Sequence, residues 1–228
     1  PHTITLPAQA SHYLARVLRL RAGANLTIFN GDGYNYKATL TNADKNSARI
    51  EIKSSTLGPA ATPQLHLSIA LLKGDKLDFA LQKATELDVS KIWLTQTSRC
   101  ELRLSEKRLA NRLQHWQRII VSACEQSGRT LLPTLYPPQP LNDVLTLTQK
   151  MDRYSLQPNA RAGELKVAQS EVCLFTGPEG GFDDAEAQLL AINSRSLQLG
   201  ELVLRAETAP IAGLSLLGAS RRALNPTS

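Results

Sequence analysis

The feature that most constrains the fold of this chain is a pair of loops about twenty residues apart. The first is Phe175-Thr176-Gly177-Pro178-Glu179-Gly180-Gly181-Phe182, and the second is Leu199-Gly200-Glu201-Leu202-Val203-Leu204-Arg205-Ala206-Glu207-Thr208-Ala209-Pro210. Each follows an apolar stretch that reads as a buried strand, and each leads into a helical pattern. Loops of this kind at strand ends are how an α/β sheet builds a pocket for a nucleotide-like ligand. Gly177, Gly180 and Gly181 allow close backbone approach and dihedrals closed to other residues. Arg205 and Glu207 are charges that are costly to hold near a core without a task. The first loop has neither the lysine and spacing of a P-loop nor the GxGxxG of a dinucleotide site. Alone it would read as a tight strand-to-helix turn; the second loop makes the pair a signature.

The rest of the chain supplies a sheet for these loops. Residues 3–54 alternate polar and apolar in short runs broken by turns such as Asn30-Gly31-Asp32-Gly33, which predicts a small all-β unit with a short helix near Ala10–Leu18. Residues 54–63 read as a linker. Strand–helix alternation follows, the signature of a parallel α/β sheet. Strands are expected at Leu65–Leu72, Ile92–Leu94, Leu131–Tyr136, Val172–Thr176 and Leu197–Leu199. Helices are expected after Asp75, with Leu77, Ala80, Leu81, Ala84 and Leu87 inward, and from Ser105, with Trp116 and Ile120 inward. A short helix is expected at Leu141–Leu147, and a last one begins near Pro210. Asp183, with Glu186 three residues on, predicts a capping box for Ala185–Ile192.

The 228 residues can bury one large or two small cores, and the net charge of +6 suits a polyanionic partner. Residues 1–62 carry seven Lys and Arg against three Asp and Glu, so the front part is the more cationic per residue. No stretch approaches the roughly 18 apolar residues of a membrane span, and no signal-peptide pattern opens the chain. Cys100, Cys124 and Cys173 lack CxxC spacing and read as reduced thiols of a cytosolic protein. His2, His12, His66 and His115 lack metal spacing, so no metal is expected.

The two loops resemble the cofactor loops of the bacterial 16S ribosomal RNA uridine-N3 methyltransferases, a branch of the knotted (SPOUT) methyltransferases. Further anchors are residues 12–20 (HYLARVLRL), Phe29-Asn30-Gly31, Gln82–Leu87, Thr97–Cys100 and Ala123–Arg129, so the resemblance covers nearly the whole chain. It implies an α/β protein with a C-terminal knotted SPOUT-type parallel-sheet domain at 63–228. A smaller PUA-like β-barrel, binding RNA, would occupy 1–62, with a short strand expected ahead of Pro1. It further implies a cytoplasmic homodimer that uses S-adenosyl-L-methionine (SAM) to methylate uridine N3 in 16S ribosomal RNA of the small subunit. Knots are rare, and this one is expected on the resemblance alone.

By the same resemblance, Thr176, Gly177, Pro178, Gly180, Leu199, Gly200, Leu204, Arg205, Thr208 and Ala209 would hold the cofactor, largely through the main chain. Ala206 departs from the family, which has threonine there. Uracil N3 is a poor nucleophile until its proton leaves, so a base or an anion-stabilising cation is needed. Arg205 is the candidate stabiliser and Glu207 the base or orienter, unless the two form a pair that merely shapes the loop. Arg16, Arg19, Arg21, Arg99 and Arg129 are candidate RNA contacts, with a solvated rim or loop ion pairing as the plain reading of each. The competing functions are a related knotted enzyme acting on transfer RNA or a ribose 2′-hydroxyl, and a noncatalytic RNA-binding assembly factor.

Overall fold

A computed structural model describes residues 2–58, 64–101, 105–157 and 165–224. The chain divides into two compact units, residues 1–59 and 60–228.

In the front unit, β1 (His2–Thr5), β2 (Asn25–Ile28), β3 (Tyr34–Asn42) and β4 (Arg49–Leu57) form an antiparallel sheet of order β1-β4-β3-β2. Alternation along β3 and β4 buries Ala38, Leu40 and Ile50, which form a small core with Ala48. Helix α1 (Ala8–His12) continues directly into a π-helical turn at Tyr13–Val17, where a single short helix was expected. Ser54–Leu57, expected as linker, are the end of β4 and pair with Tyr34–Lys37 of β3. Gly58 follows, its N–H bonded to Gly33 O at 2.8 Å, and residues 59–63 of that expected linker lie outside the described residues.

The second unit is a parallel sheet of six strands: β5 (Gln64–Ala70), β6 (Val89–Gln96), β7 (Thr134–Pro140), β8 (Asp152–Ser155), β9 (Glu171–Thr176) and β10 (Arg195–Ser196). Their order is β10-β8-β9-β5-β6-β7. The connecting helices are α2 (Lys76–Glu86), α3 (Glu106–Ser127), α4 (Leu141–Leu147), α5 (Asp184–Asn193) and α6 (Ala209–Leu224). Side-chain alternation in β9 assigns the two faces. Cys173 and Phe175 join Trp93, Leu141, Val144 and Leu190 in a core under α4 and α5. Leu174 points the other way, against Gly213 of α6. The prolines Pro137, Pro138 and Pro140 of β7 stand at the sheet's edge, where a missing N–H costs no ladder bond.

The strand expected at Leu131–Tyr136 begins three residues later, at Thr134, and runs on to Pro140; two further local expectations need correction. Asp75 stands at the N-cap of α2, but with φ −84° and ψ 0° its side chain makes no capping bond. The strand expected at Leu197–Leu199 lies two residues earlier, at Arg195–Ser196. Leu197 still donates its N–H to Ser155 O at 2.9 Å, but is spent on a cleft wall. The capping box is formed as expected: Asp183 Oδ1 accepts from Glu186 N at 2.8 Å, and Glu186 Oε2 accepts from Asp183 N at 3.0 Å.

Candidate functional site

The loops that follow β5, β6 and β9 all leave the sheet at its C-terminal edge, the end at which open α/β sheets bind ligands. There the two glycine loops enclose one cleft of about 570 Å³, within the range of small-molecule sites. The first loop contributes residues 176–182 and the second residues 197–204, with Ala206 and Ala209 beyond it. Of the expected cofactor residues, Thr176, Gly177, Pro178, Gly180, Leu199, Gly200, Leu204 and Ala209 thus line a single space. Arg205 and Thr208 stand outside its wall. The N–H groups of Thr208 and Ala209 both donate to Arg205 O at 2.9 Å, a turn that starts α6.

The first loop owes its shape to glycine at two places. Gly181 has φ +68° and donates its N–H to Pro178 O at 2.9 Å, a tight turn in a conformation L-residues rarely adopt. A Cβ on Gly177 would meet the Phe182 ring at 3.3 Å, so the ring folds back over the bare backbone. The second loop presents Leu202 and Val203 almost wholly to solvent, 85% and 77% exposed. Apolar side chains so exposed beside a cleft are surface that a ligand or partner would cover.

The charged residues separate in role. The Arg205 side chain is 85% exposed, whereas that of Glu207 is 14% exposed, and their nearest charged atoms are 4.0 Å apart. Glu207 Oε2 is buried and has no hydrogen-bond partner among the described residues. Glu179 is bound by Lys73 N at 3.2 Å and Lys76 Nζ at 3.0 Å. Burial pushes its carboxyl upward, but its own backbone N–H, Lys76 and Lys73 outweigh that and hold it below the ordinary value.

Arg99 lines the cleft and donates to Gly180 O at 2.9 Å. Arg129 is turned into its domain rather than out to solvent: Nη1 lies 2.9 Å from both Thr85 O and Val89 O, and Nη2 3.4 Å from Asp88 Oδ1. It ties the end of α3 to the α2–β6 connection through the carbonyls of Thr85, which also accepts from Asp88 N at 3.1 Å, and Val89. Arg16, Arg19 and Arg21 are exposed on the front unit, and Arg19 holds φ +53° directly after the π-helical turn. The sequence reading missed Leu156 and Gln157, which line the cleft just after β8. The sequence carried no signal for them, because the β8 run Asp-Arg-Tyr-Ser has no apolar periodicity. Among the described residues no cluster of His, Cys, Asp and Glu could hold a metal, and no helix is long and apolar enough to cross a membrane.

Residues 60–218 match the model of an RNA methyltransferase domain, and residues 6–53 that of an RNA methyltransferase PUA domain. A ribosomal RNA small subunit methyltransferase E of Rickettsia conorii is 30% identical, covering 90% of this chain and 84% of its own length. A Legionella pneumophila protein solved with bound cofactor SAM superposes with a TM-score of 0.90 at 32% identity, covering 96% of this chain and 92% of its own. The small subunit methyltransferase E of Neisseria gonorrhoeae, solved with S-adenosyl methionine, superposes with a TM-score of 0.86 at 32% identity, covering 98% and 92%.

Proposed function

The chain belongs to the RNA methyltransferase family, a SPOUT-type domain preceded by a PUA domain, and from that premise we propose that it methylates N3 of a specific uridine in 16S ribosomal RNA of the small subunit, with SAM as methyl donor. The observation that carries the reading is the single cleft closed by both glycine loops at the C-terminal edge of the sheet. Its residues fit SAM: the volume suits a nucleoside, Leu197, Leu199 and Leu204 offer apolar walls, and Gly181 and Gly200, at φ +68° and +142°, turn the backbone toward a ligand. SAM, when bound, supplies a methyl group on a sulfonium sulfur.

The chain's own part is positioning and proton management. Thr176, Gly177, Pro178 and Gly180 hold one side of the cofactor and Leu199, Gly200, Leu204 and Ala209 the other, with Arg205 and Thr208 fixing the turn behind them. As N3 gains the methyl carbon it must lose its proton. Glu207, whose Oε2 is buried and unpartnered among the described residues, is our candidate to take or orient that proton. The Arg205 guanidinium, exposed and 4.0 Å from that carboxylate, is the candidate to stabilise the negative charge that spreads onto the uracil oxygens. Arg16, Arg19 and Arg21 give the front domain a cationic surface for phosphate, worth mainly sequence-blind, salt-sensitive affinity. Leu202 and Val203 support a homodimer in which a second copy covers them, and the expected compartment is the cytoplasm, where ribosomes mature.

The test is transfer of labelled methyl from SAM to unmodified small subunits, with transfer RNA in parallel. Label entering the subunit RNA supports the reading. Label in transfer RNA or on ribose oxygens moves the enzyme to a related branch. SAM uptake without transfer makes the protein a noncatalytic binder, with Ala206, which lines the cleft, as the first residue to revert to threonine.

A further inference from the structure

We propose that the loop after β6 is a latch on the first glycine loop, with Arg99 as its positioning residue and Glu186 as its anchor; the consequence for cofactor affinity rests on the reading that this cleft takes SAM. Glu186 does more than cap α5. Its Oε2 accepts from Asp183 N at 3.0 Å, while its Oε1 reaches across to accept from Ser98 N at 2.7 Å and Ser98 Oγ at 3.2 Å. One carboxylate therefore joins the start of α5 to the loop after β6. The next residue along that loop, Arg99, donates from Nη1 to Gly180 O at 2.9 Å.

Contact accompanies the bond. A Cβ on Gly180 would lie 3.4 Å from Arg99 Cβ and 3.5 Å from its Cδ, so the arginine stem runs along the bare glycine backbone. The same loop is also held through Glu179, bound to Lys73 N in the loop after β5 and to Lys76 Nζ at the start of α2. The glycine loop is thus held by residues that follow β5 and by residues that follow β6, and the Gly180 carbonyl is the point where Arg99 sets it. A guanidinium committed to that carbonyl acts on the cofactor through loop shape.

The test uses the full chain, first without ligand. Amide hydrogen exchange at Glu179, Gly180 and Gly181 should rise about tenfold in Arg99→Ala, the scale of one lost charge-assisted bond, while β5 and β9 amides keep their protection. Glu186→Gln, which cannot accept from both Ser98 and Asp183, should raise it too, and Arg99→Lys should restore part of the protection. In turnover, Arg99→Ala should raise KM for SAM about tenfold and leave KM for RNA unchanged. Unchanged loop exchange in both Arg99→Ala and Glu186→Gln would overturn the latch, and a raised KM for RNA alone would return Arg99 to phosphate binding. If the wild-type protein takes up no SAM, the functional reading falls, while the exchange data still decide the latch.

Discussion

Arg205 and Glu207 lie two residues apart in one loop with their charged atoms 4.0 Å from each other, yet the first is turned to solvent and the second is turned in. At that distance, with one partner in solvent, the pair contributes little to stability. Arg205→Ala should lower kcat at least a hundredfold, the scale of a lost charge stabiliser, with SAM affinity changed less than threefold. Single-turnover kinetics and calorimetry separate the two effects. Equal losses would assign Arg205 to cofactor binding.

Glycine 213 sets the approach of the last helix to the sheet. A Cβ there would sit 2.7 Å from Leu174 Cδ2, inside a core where Leu174 is fully buried. Gly213→Ala should destabilise the protein by about 1–3 kcal/mol through overpacking, read as a lower midpoint in urea. A neutral result would mean that α6 shifts freely, contrary to its packing against β5 and β9.

Arg129 should behave as a structural residue. Its side chain is 12% exposed and its loss leaves the carbonyls of Thr85 and Val89 without that donor. Arg129→Ala should cost about 2–4 kcal/mol in denaturant unfolding and leave RNA affinity at low temperature unchanged. Weakened RNA binding with intact stability would contradict this.

Stability should fall as the solution is acidified below about pH 6.5, and His66 is the reason. Its ring is fully buried in β5; Nε2 donates to Glu171 Oε1 at 3.0 Å, while Nδ1 has no partner among the described residues. Burial lowers its pKa below the usual 6.5, opposed by the hydrogen bond to Glu171 and reinforced by Lys91. The unfolded chain therefore binds the proton first, so the stabilisation is whole above pH 6.5 and is lost as pH falls toward the folded pKa. Glu171, held below 4.5 mainly by its Lys91 hydrogen bond, adds a further loss at lower pH. His66→Gln should flatten the upper part of this profile in thermal unfolding; an unchanged slope between pH 6.5 and 5 would contradict it.

Much of the site was legible in sequence because it rests on local chemistry. The glycine run at 177–181 and the Asp183–Glu186 box announce a strand, a tight turn and a helix start, and the structure contains all three. What escaped depends on partners distant in sequence. Strand β8 has a polar sequence because Asp152 accepts from Ala168 N and Gln169 N, and Tyr154 Oη bonds Lys166, so its burial comes from satisfied polar groups. Strand β10 sits two residues early because the apolar Leu197–Leu199 forms a cleft wall instead of a sheet core. Arg99 and Arg129 look alike in sequence; only the fold shows one exposed at the cleft and the other turned into its domain.

The most direct test is to incubate the protein with SAM and small ribosomal subunits lacking the modification, then map the methylated nucleotide by mass spectrometry. The account predicts one N3-methyluridine in 16S RNA, absent when Arg205 is alanine. Methylation at a ribose oxygen, at another base, or nowhere while SAM is bound would contradict it.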